Sequence, residues 1–463
     1  MTMPELDTDR PNILFLHTDQ HRFDYMGCAG ADFVNTPNLD RLAERGMRFN
    51  NCFTNSPLCA PARIGLATGM QPARVGSLGN DSFLPPDMTT YYMRLRDAGY
   101  RVGAVGKLDL AKPDSFNGRY GDRPCAYQWG FTHPVEVEGK VHSLCNDEPQ
   151  GPYGMWLEQK GMWDKYRQEA IDHWKEPDRW ITPSELPTET FLDSYQGQRA
   201  VDWIDNIGER FPWHLFVSFS GPHVPHDPPR EFADRYEDKP MPPAIPIPEW
   251  DDRPAPSEAK RDPEFIQQCR RMYCAYIELI DHWIGKILDS LERRGWLEDT
   301  YIFFSSDHGE MLGDLGRYAK KYPYEPSLHV PLLASGPGIP SGETFDALVE
   351  LIDLNPTICD LAGLHSQRNI DARSLCSSLR DPSQGHRDEA VSVIREWQCV
   401  RTDRYKLVRN LNDITELYDL KEDPREQNNI HDEVWENNPE LIRDLVGRIR
   451  ARHVESPYGQ PRE

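Results

Sequence analysis

The sequence predicts an α/β fold, a central, mostly parallel sheet flanked by helices, with a small C-terminal α+β subdomain. Two observations carry this. Short apolar runs alternate with amphipathic helical stretches, the pattern of a parallel sheet built from βαβ units. Four of the runs also stop abruptly in polar residues. Residues 12–17 lead into Thr18-Asp19-Gln20, and residues 100–105 into Gly106-Lys107-Leu108-Asp109. Residues 214–219 lead into Ser220-Gly221-Pro222-His223, and residues 301–304 into Ser305-Ser306-Asp307-His308-Gly309. Open α/β sheets bind ligands beyond the carboxyl ends of their strands. Four chemically capable strand ends therefore predict one shared crevice.

The other segments are less chemical. Residues 265–294 carry apolar positions at helical spacing and stop before Gly295, which predicts a long helix against the sheet. Residues 238–264 are proline-rich and acidic without periodicity, which predicts an irregular surface loop. Residues 109–187 are weakly periodic and hold Trp129, Trp156, Trp163, Trp174 and Trp180. These aromatics suit a pocket wall, core or a subunit contact equally. After Gln384 the texture changes to short alternating runs, 391–395 and 405–408, then a helical pattern over 439–452. The expected division is a main domain, 1–384, and a subdomain, 385–463.

Composition removes several function classes. Of 463 residues, 75 are acidic and 52 basic, a formal net charge of −23, which disfavours nucleic acid, anionic membranes and long polyanions. A local cationic pocket for one small anion is still compatible with that balance. No apolar run approaches the length that crosses a bilayer. The first ten residues are polar, without a basic start or an apolar h-region, so a cytoplasmic location is expected. The ten cysteines are scattered, which suits a reducing compartment, and form neither a CxxC pair nor a zinc-like Cys/His cluster.

Cys59-Ala60-Pro61-Ala62-Arg63 fits C-x-P-x-R, a weak signal alone but one with a physical context. Pro61 and the residues after it read as the first turn of a helix, with proline near its first position. A nucleophile there meets free backbone N–H groups and the positive helix end. Arg63, one turn in, is placed to return toward Cys59. Asp19 and Asp307, at two strand ends, would repel each other if adjacent unless a cation lay between them.

With these motifs the chain resembles a type I sulfatase of the alkaline phosphatase superfamily. The matching stretches span residues 11 to about 430: 11–20, 36–43, 55–68, 218–225, 305–333, 353–360 and 416–424. The resemblance implies an alkaline-phosphatase-like fold with its catalytic domain over 1–384. It implies that a maturation enzyme oxidises Cys59 to formylglycine, whose hydrate is the nucleophile. It also implies one divalent cation on Asp19, Gln20, Asp307 and His308, with Lys107, His223 and Lys320 about the sulfate and Arg63 beside the nucleophile. Lys320 is preferred to Lys321 by its spacing to Tyr324-Glu325. Ca²⁺ is favoured for an oxygen-rich site, and the His308 imidazole also admits Mn²⁺.

The chain departs from that family at several positions. Gln20 replaces a common Asp, His308 a common Asn, Asp109 a common His, and His329 a common Arg. Asp109 thereby removes a sulfate-side donor and offers a carboxylate to a polar or cationic leaving group. Ser56-Pro57-Leu58-Cys59-Ala60-Pro61 is similar to choline sulfatases. Gln20, Asn80, Asp109 and His308 are similar to phosphonate monoester hydrolases and phosphodiesterases, whereas Lys107 stands where that group has Tyr. The expected activity is hydrolysis of a small-molecule sulfate ester, with Asn80 and Asp109 on the substrate side. The alternatives are phosphonate or phosphodiester hydrolysis, and a catalytically silent binding protein. Oligomeric state is left open.

Overall fold

The computed structural model describes residues 10–114, 117–140, 147–175, 180–365 and 367–454; the side chain of Trp174 lies outside that description. In chain order its strands are β1 (Asn12–Asp19), β2 (Met47–Phe49), β3 (Cys52–Phe53), β4 (Arg101–Gly106), β5 (His133–Glu136), β6 (Trp213–Pro222) and β7 (Thr300–Ser306). There follow β8 (Leu332–Ser335), β9 (Glu343–Phe345), β10 (Val349–Glu350), β11 (Ala390–Val393), β12 (Trp397–Arg401), β13 (Tyr405–Asn410) and β14 (Glu416–Asp419). The main sheet has the order β5-β4-β6-β1-β7-β8-β2-β9. Only β8 runs against its neighbours in that sheet.

The four runs singled out in the sequence are thus consecutive strands, β4-β6-β1-β7, all parallel. Their carboxyl ends lie along one edge, with Gly106 and His17 both opposite Ser218 and Thr18 opposite Ser306. Residues hundreds of positions apart in sequence meet there because parallel pairing aligns strand ends.

Both faces of the sheet are covered, which explains why its strands read as continuous apolar runs. Along β1, Leu14 and Leu16 pack on one face with a helix, Pro263–Arg293, through Tyr273, Ile277, Ile280 and Ile284. Ile13 and Phe15 point to the opposite face, where Ala62, Ile64 and Leu66 of a second helix meet them. The predicted long helix is therefore present and starts two residues early, after an Asp262 cap whose side chain accepts from the Glu264 N–H. The loop before it is irregular except for one helical turn, Glu258–Arg261.

The tryptophans divide by role. Trp129 is buried in the core and donates to the Leu84 carbonyl at 3.0 Å. Trp163 and Trp156 belong to a satellite cluster with Tyr153 and Tyr166. Trp180 instead lines a cavity beside His223. At the C-terminal end β11 to β14 form an antiparallel sheet, against which a helix, Pro439–Val454, packs through Ile442, Leu445 and Ile449.

One close approach positions the site. Gly106 closes β4 with φ 109°, and a Cβ there would lie 1.9 Å from the Ser218 carbonyl oxygen. That carbonyl accepts the Lys107 N–H at 3.0 Å, so the missing side chain sets where Lys107 leaves the sheet. Gly106→Ala is expected to destabilise the protein by at least about 2 kcal/mol. Urea denaturation would measure this, and an unchanged midpoint would mean that β4 and β6 part without cost.

Candidate active site

The helix carrying the candidate nucleophile spans Cys59–Thr68. It begins at Cys59 itself, so Pro61 is its third residue and not near its first as the sequence suggested. Leu58 offers no side-chain cap. Asn80 supplies one from a distance, its Oδ1 accepting the Ala60 N–H at 3.2 Å. All ten residues of the helix are buried, because it is enclosed between the sheet and residues 351–362.

The Cys59 thiol is fully buried and surrounded by ionisable groups. Lys320 Nζ lies 3.1 Å from its sulfur, His308 Nε2 3.3 Å, Asp19 Oδ1 3.7 Å and Lys107 Nζ 3.8 Å. His223 hydrogen-bonds the same thiol. Burial and the Asp19 charge push the thiol up, but Lys107, Lys112 and Lys320 outweigh them and hold it well below its ordinary value. Lys321, by contrast, is exposed.

Donor atoms of Asp19, Cys59, Asp307 and His308 all lie within 4.8 Å of one another. Arg63 ties the two carboxylates together, Nη2 to Asp19 Oδ2 at 3.1 Å and Nε to Asp307 Oδ2 at 2.9 Å. Its Nη1 donates to Ser218 Oγ at 2.7 Å and to the Lys107 carbonyl. Burial opposes the Asp19 charge, but Lys107, His223, Lys320 and Arg63 together keep its carboxyl well below the usual range. For Asp307 the balance reverses: burial and then the Asp19 charge push its carboxyl up.

The remaining donors are held in orientation. His308 Nδ1 lies 3.0 Å from the Gly309 carbonyl, which places that proton outward and turns Nε2 toward the cluster. Burial works against a charged His308, yet Asp307 outweighs it and raises the imidazole. Gln20, at φ 73°, donates its backbone N–H to Asp307 Oδ1 at 3.0 Å. Its amide donates to Glu310, and its carbonyl Oε1 accepts from Lys320 Nζ at 2.9 Å.

This donor set fits a divalent cation. It offers two buried carboxylates, an oriented imidazole nitrogen and an amide oxygen, with the carboxylates at adjacent strand ends. The basic groups beside it fit an anion.

Asp109 does not present a free carboxylate to a leaving group. Its Oδ2 is saturated by Lys112 at 2.7 Å and Lys107 at 3.3 Å. Burial opposes its charge, but Lys107 and Lys112 hold it at about 2. Sequence reading missed Lys112, which lies in an irregular stretch without a motif. It also missed Glu310, which directly follows Asp307-His308-Gly309 and was detectable by that adjacency. His17 was passed over as a strand residue, yet it is buried under the cluster with neither ring nitrogen hydrogen-bonded. His329 stacks between Phe23 and Phe53, with ring centroids 4.2 and 4.9 Å away, as a packing residue.

Comparison with known proteins places this geometry in a family. The family model described as Sulfatase matches residues 11–364. A second, N-sulphoglucosamine sulphohydrolase, C-terminal, matches residues 313–454. A choline-sulfatase from Rhizobium meliloti (strain 1021) is 31% identical over 459 residues, covering 92% of this chain and 83% of that protein. An arylsulfatase from Clostridium perfringens is 26% identical and covers 95% of each chain. Among solved structures, the phosphonate monoester hydrolase of Agrobacterium radiobacter aligns with TM-score 0.78 at 24% identity over 96% of each chain. An enzyme in complex with its substrate D-glucosamine-2-N,6-O-disulfate aligns with TM-score 0.75 at 22% identity, covering 97% of this chain and 99% of that one. At these identities the two structures speak for the fold.

Arg63 carries the electrostatic load of the cluster. Arg63→Ala leaves two buried carboxylates without their shared guanidinium, and a loss of about 3–5 kcal/mol in stability is expected. Thermal and urea unfolding would measure it, and wild-type stability would show that Asp19 and Asp307 are balanced without Arg63.

Proposed function

The chain belongs to the sulfatase family and is a sulfuric ester hydrolase; on that premise we propose that it cleaves a small-molecule sulfate ester, using formylglycine made from Cys59 and one divalent cation. The observation that supports this reading best is the polarity around the Cys59 sulfur. Carboxylates and an imidazole nitrogen gather within reach of it, and the Lys107 and Lys320 ammoniums approach it at 3.8 and 3.1 Å.

In this reading Asp19, Asp307, His308 and the Gln20 carbonyl hold the cation, with Ca²⁺ our first choice and Mn²⁺ our second. When bound, the cation supplies Lewis-acid stabilisation to the nucleophilic oxygen. A maturation enzyme supplies the formylglycine, whose hydrate offers a hydroxyl to sulfur. Arg63 holds Asp19 and Asp307 in register. Lys107 and Lys320 sit where charge builds on the sulfate oxygens. His223 is the proton donor to the leaving oxygen. Its Nδ1 donates to the Val224 carbonyl at 2.6 Å, which leaves Nε2 for the transfer. Burial and the Lys320 charge hold this imidazole at about 4 in the free site. The negative charge of a bound sulfate offsets the Lys320 charge and favours the imidazolium, and proton delivery depends on that rise. Asp109 steadies Lys107 and Lys112, and Asn80 keeps the nucleophile helix end in place beside the substrate.

The phosphonate reading is not favoured, since the structural likeness carries the fold alone and Lys107 adds a cation for sulfate. The domain division at 384/385 and a cytoplasmic location are part of the proposal. Among the described residues no helix is long and apolar enough to cross a membrane.

Cys59 is expected to appear as formylglycine when the protein is made with a maturation enzyme. Mass spectrometry of the tryptic peptide 49–63 would detect it, and active protein carrying only the thiol would refute the nucleophile. Assays against aryl sulfate, phosphodiester and phosphonate monoester test the reaction type, with the sulfate monoester expected to react fastest. Within a sulfate series, His223→Ala should slow alkyl esters far more than activated aryl esters. Equal losses would leave His223 a binding residue, and a phosphodiester preference would overturn the sulfatase reading.

A further inference from the structure

The reaction site gathers four basic groups. Lys107, Lys112, Lys320 and Arg63 all gather about Cys59, Asp19 and Asp109. Beyond His223 lies a cavity of about 180 Å³ with the opposite character. His223 forms part of its wall, so the cavity opens directly off the imidazole that hydrogen-bonds Cys59. Its other walls include the aromatic rings of Tyr166 and Trp180 and the carboxylates of Glu169 and Asp227.

Among the described residues the one ammonium in the wall, Lys140, is already paired with Asp227. His173 Nδ1 stands 3.3 Å from the other oxygen of Asp227. Among the described residues Glu169 accepts from the Glu185 N–H at 3.0 Å and from the Ser184 hydroxyl, with the His173 imidazole close by. With the imidazoles counted neutral, the described part of the wall holds two carboxylates against one ammonium. Burial and then the Asp227 charge push the Glu169 carboxyl up, as expected where a negative charge lacks its counter-ion. Lys260, outside the wall, already lies 5.7 Å from the Trp180 ring centroid.

We infer that this cavity receives the alcohol part of the substrate and selects a compact alcohol bearing one positive charge, an amine or a quaternary ammonium. The inference rests on the sulfate-ester reading above. An ester of that kind is a zwitterion, and the site is polarised to match it. Its sulfate meets Lys107 and Lys320, its bridging oxygen lies at His223, and its cation meets Glu169 and the aromatic rings. The volume, below the roughly 300–1,000 Å³ of drug-sized pockets, suits such a compact group.

The test compares two esters of nearly identical shape, 2-(trimethylammonio)ethyl sulfate and 3,3-dimethylbutyl sulfate, with the matured, metal-loaded enzyme and an activated aryl sulfate alongside. The charged ester is expected to have a kcat/KM about tenfold or more above its neutral isostere, the worth of one desolvated cation contact. Glu169→Gln should bring that ratio toward one. The wild-type ratio alone decides the matter if the variant fails to fold, and a ratio at or below one overturns the inference. So does an unchanged ratio in folded Glu169→Gln. A second bound metal ion per chain, lost in Glu169→Gln, would likewise overturn it by making Glu169, His173 and Asp227 a metal site. If none of the three esters is hydrolysed, the sulfatase reading fails and takes the inference with it. Aryl sulfate turnover with no charge preference sinks the inference alone.

Discussion

Two carboxylates buried side by side, Asp19 and Asp307, are the constraint around which the rest of this site is arranged. Asp19 ends β1, Asp307 directly follows β7, and both are fully buried. Parallel pairing of β1 with β7 brings them together whatever their mutual repulsion. Charges taken out of water this way are tolerated only with close counter-charges and hydrogen bonds. Arg63 reaches both from the nucleophile helix, and Lys107 reaches Asp19 at 2.5 Å from the end of β4, across the intervening β6. Lys107 is in turn partnered by Asp109, and Asp109 by Lys112. The chain of alternating charges runs outward until it meets solvent. Because Cys59 starts the helix that carries Arg63, the compensation of the carboxylates and the placing of the nucleophile are one structural event.

The C-terminal sheet serves the same site from outside. Lys320 lies in a segment of irregular backbone, with Ala319 and Lys321 at positive φ, so local structure alone does not hold it. Trp397 of β12 donates its indole N–H to the Lys321 carbonyl at 2.9 Å. Lys406 of β13 is wholly buried between Glu325 at 3.2 Å and Glu426 at 2.5 Å. Two carboxylates sharing one ammonium divide its influence. Burial opposes both charges, yet Lys406 draws Glu325 down to about 2, while Glu426 is pushed up to about 7. Tyr324 adds a bond to Glu416 of β14 at 3.1 Å. The subdomain is thus a clamp on the Lys320 loop, which gives a physical reason for its place on the chain.

Much of this was legible in the sequence because it rests on strand ends. A run such as 12–17 followed by Thr-Asp-Gln announces both a buried strand and its polar terminus, and parallel pairing does the rest. The long helix was equally readable from its apolar spacing and the Gly295 stop. The parts that escaped depend on contacts without a sequence period. Lys112 acts through Asp109 from an irregular stretch, and Glu310 acts by turning the Gln20 amide. The pairing of Asp109 escaped for the same reason, since its two lysines are a tertiary fact. The start of the nucleophile helix was placed late because proline at a first position is a preference, and here Asn80 supplies the cap that lets the helix begin at Cys59. Among the tryptophans only three-dimensional placement separates Trp129 in the core from Trp180 at the cavity.

Charge is distributed on two scales, and they do different work. The chain as a whole carries a formal −23, which repels polyanions and leaves a small ester as the more readily admitted anion. At the reaction site Lys107, Lys112, Lys320 and Arg63 are packed among buried acids, so cations stand where a small anion can meet them. Beyond His223 the cavity wall carries the carboxylates of Glu169 and Asp227. Long-range steering across an acidic surface favours a ligand whose net charge is near zero, and short-range pairing inside favours one whose two ends differ in sign. A zwitterionic ester satisfies both conditions, whereas a neutral alcohol's ester satisfies only the pairing at the sulfate end. His223, standing between the two fields, is where the bond that separates those ends would break.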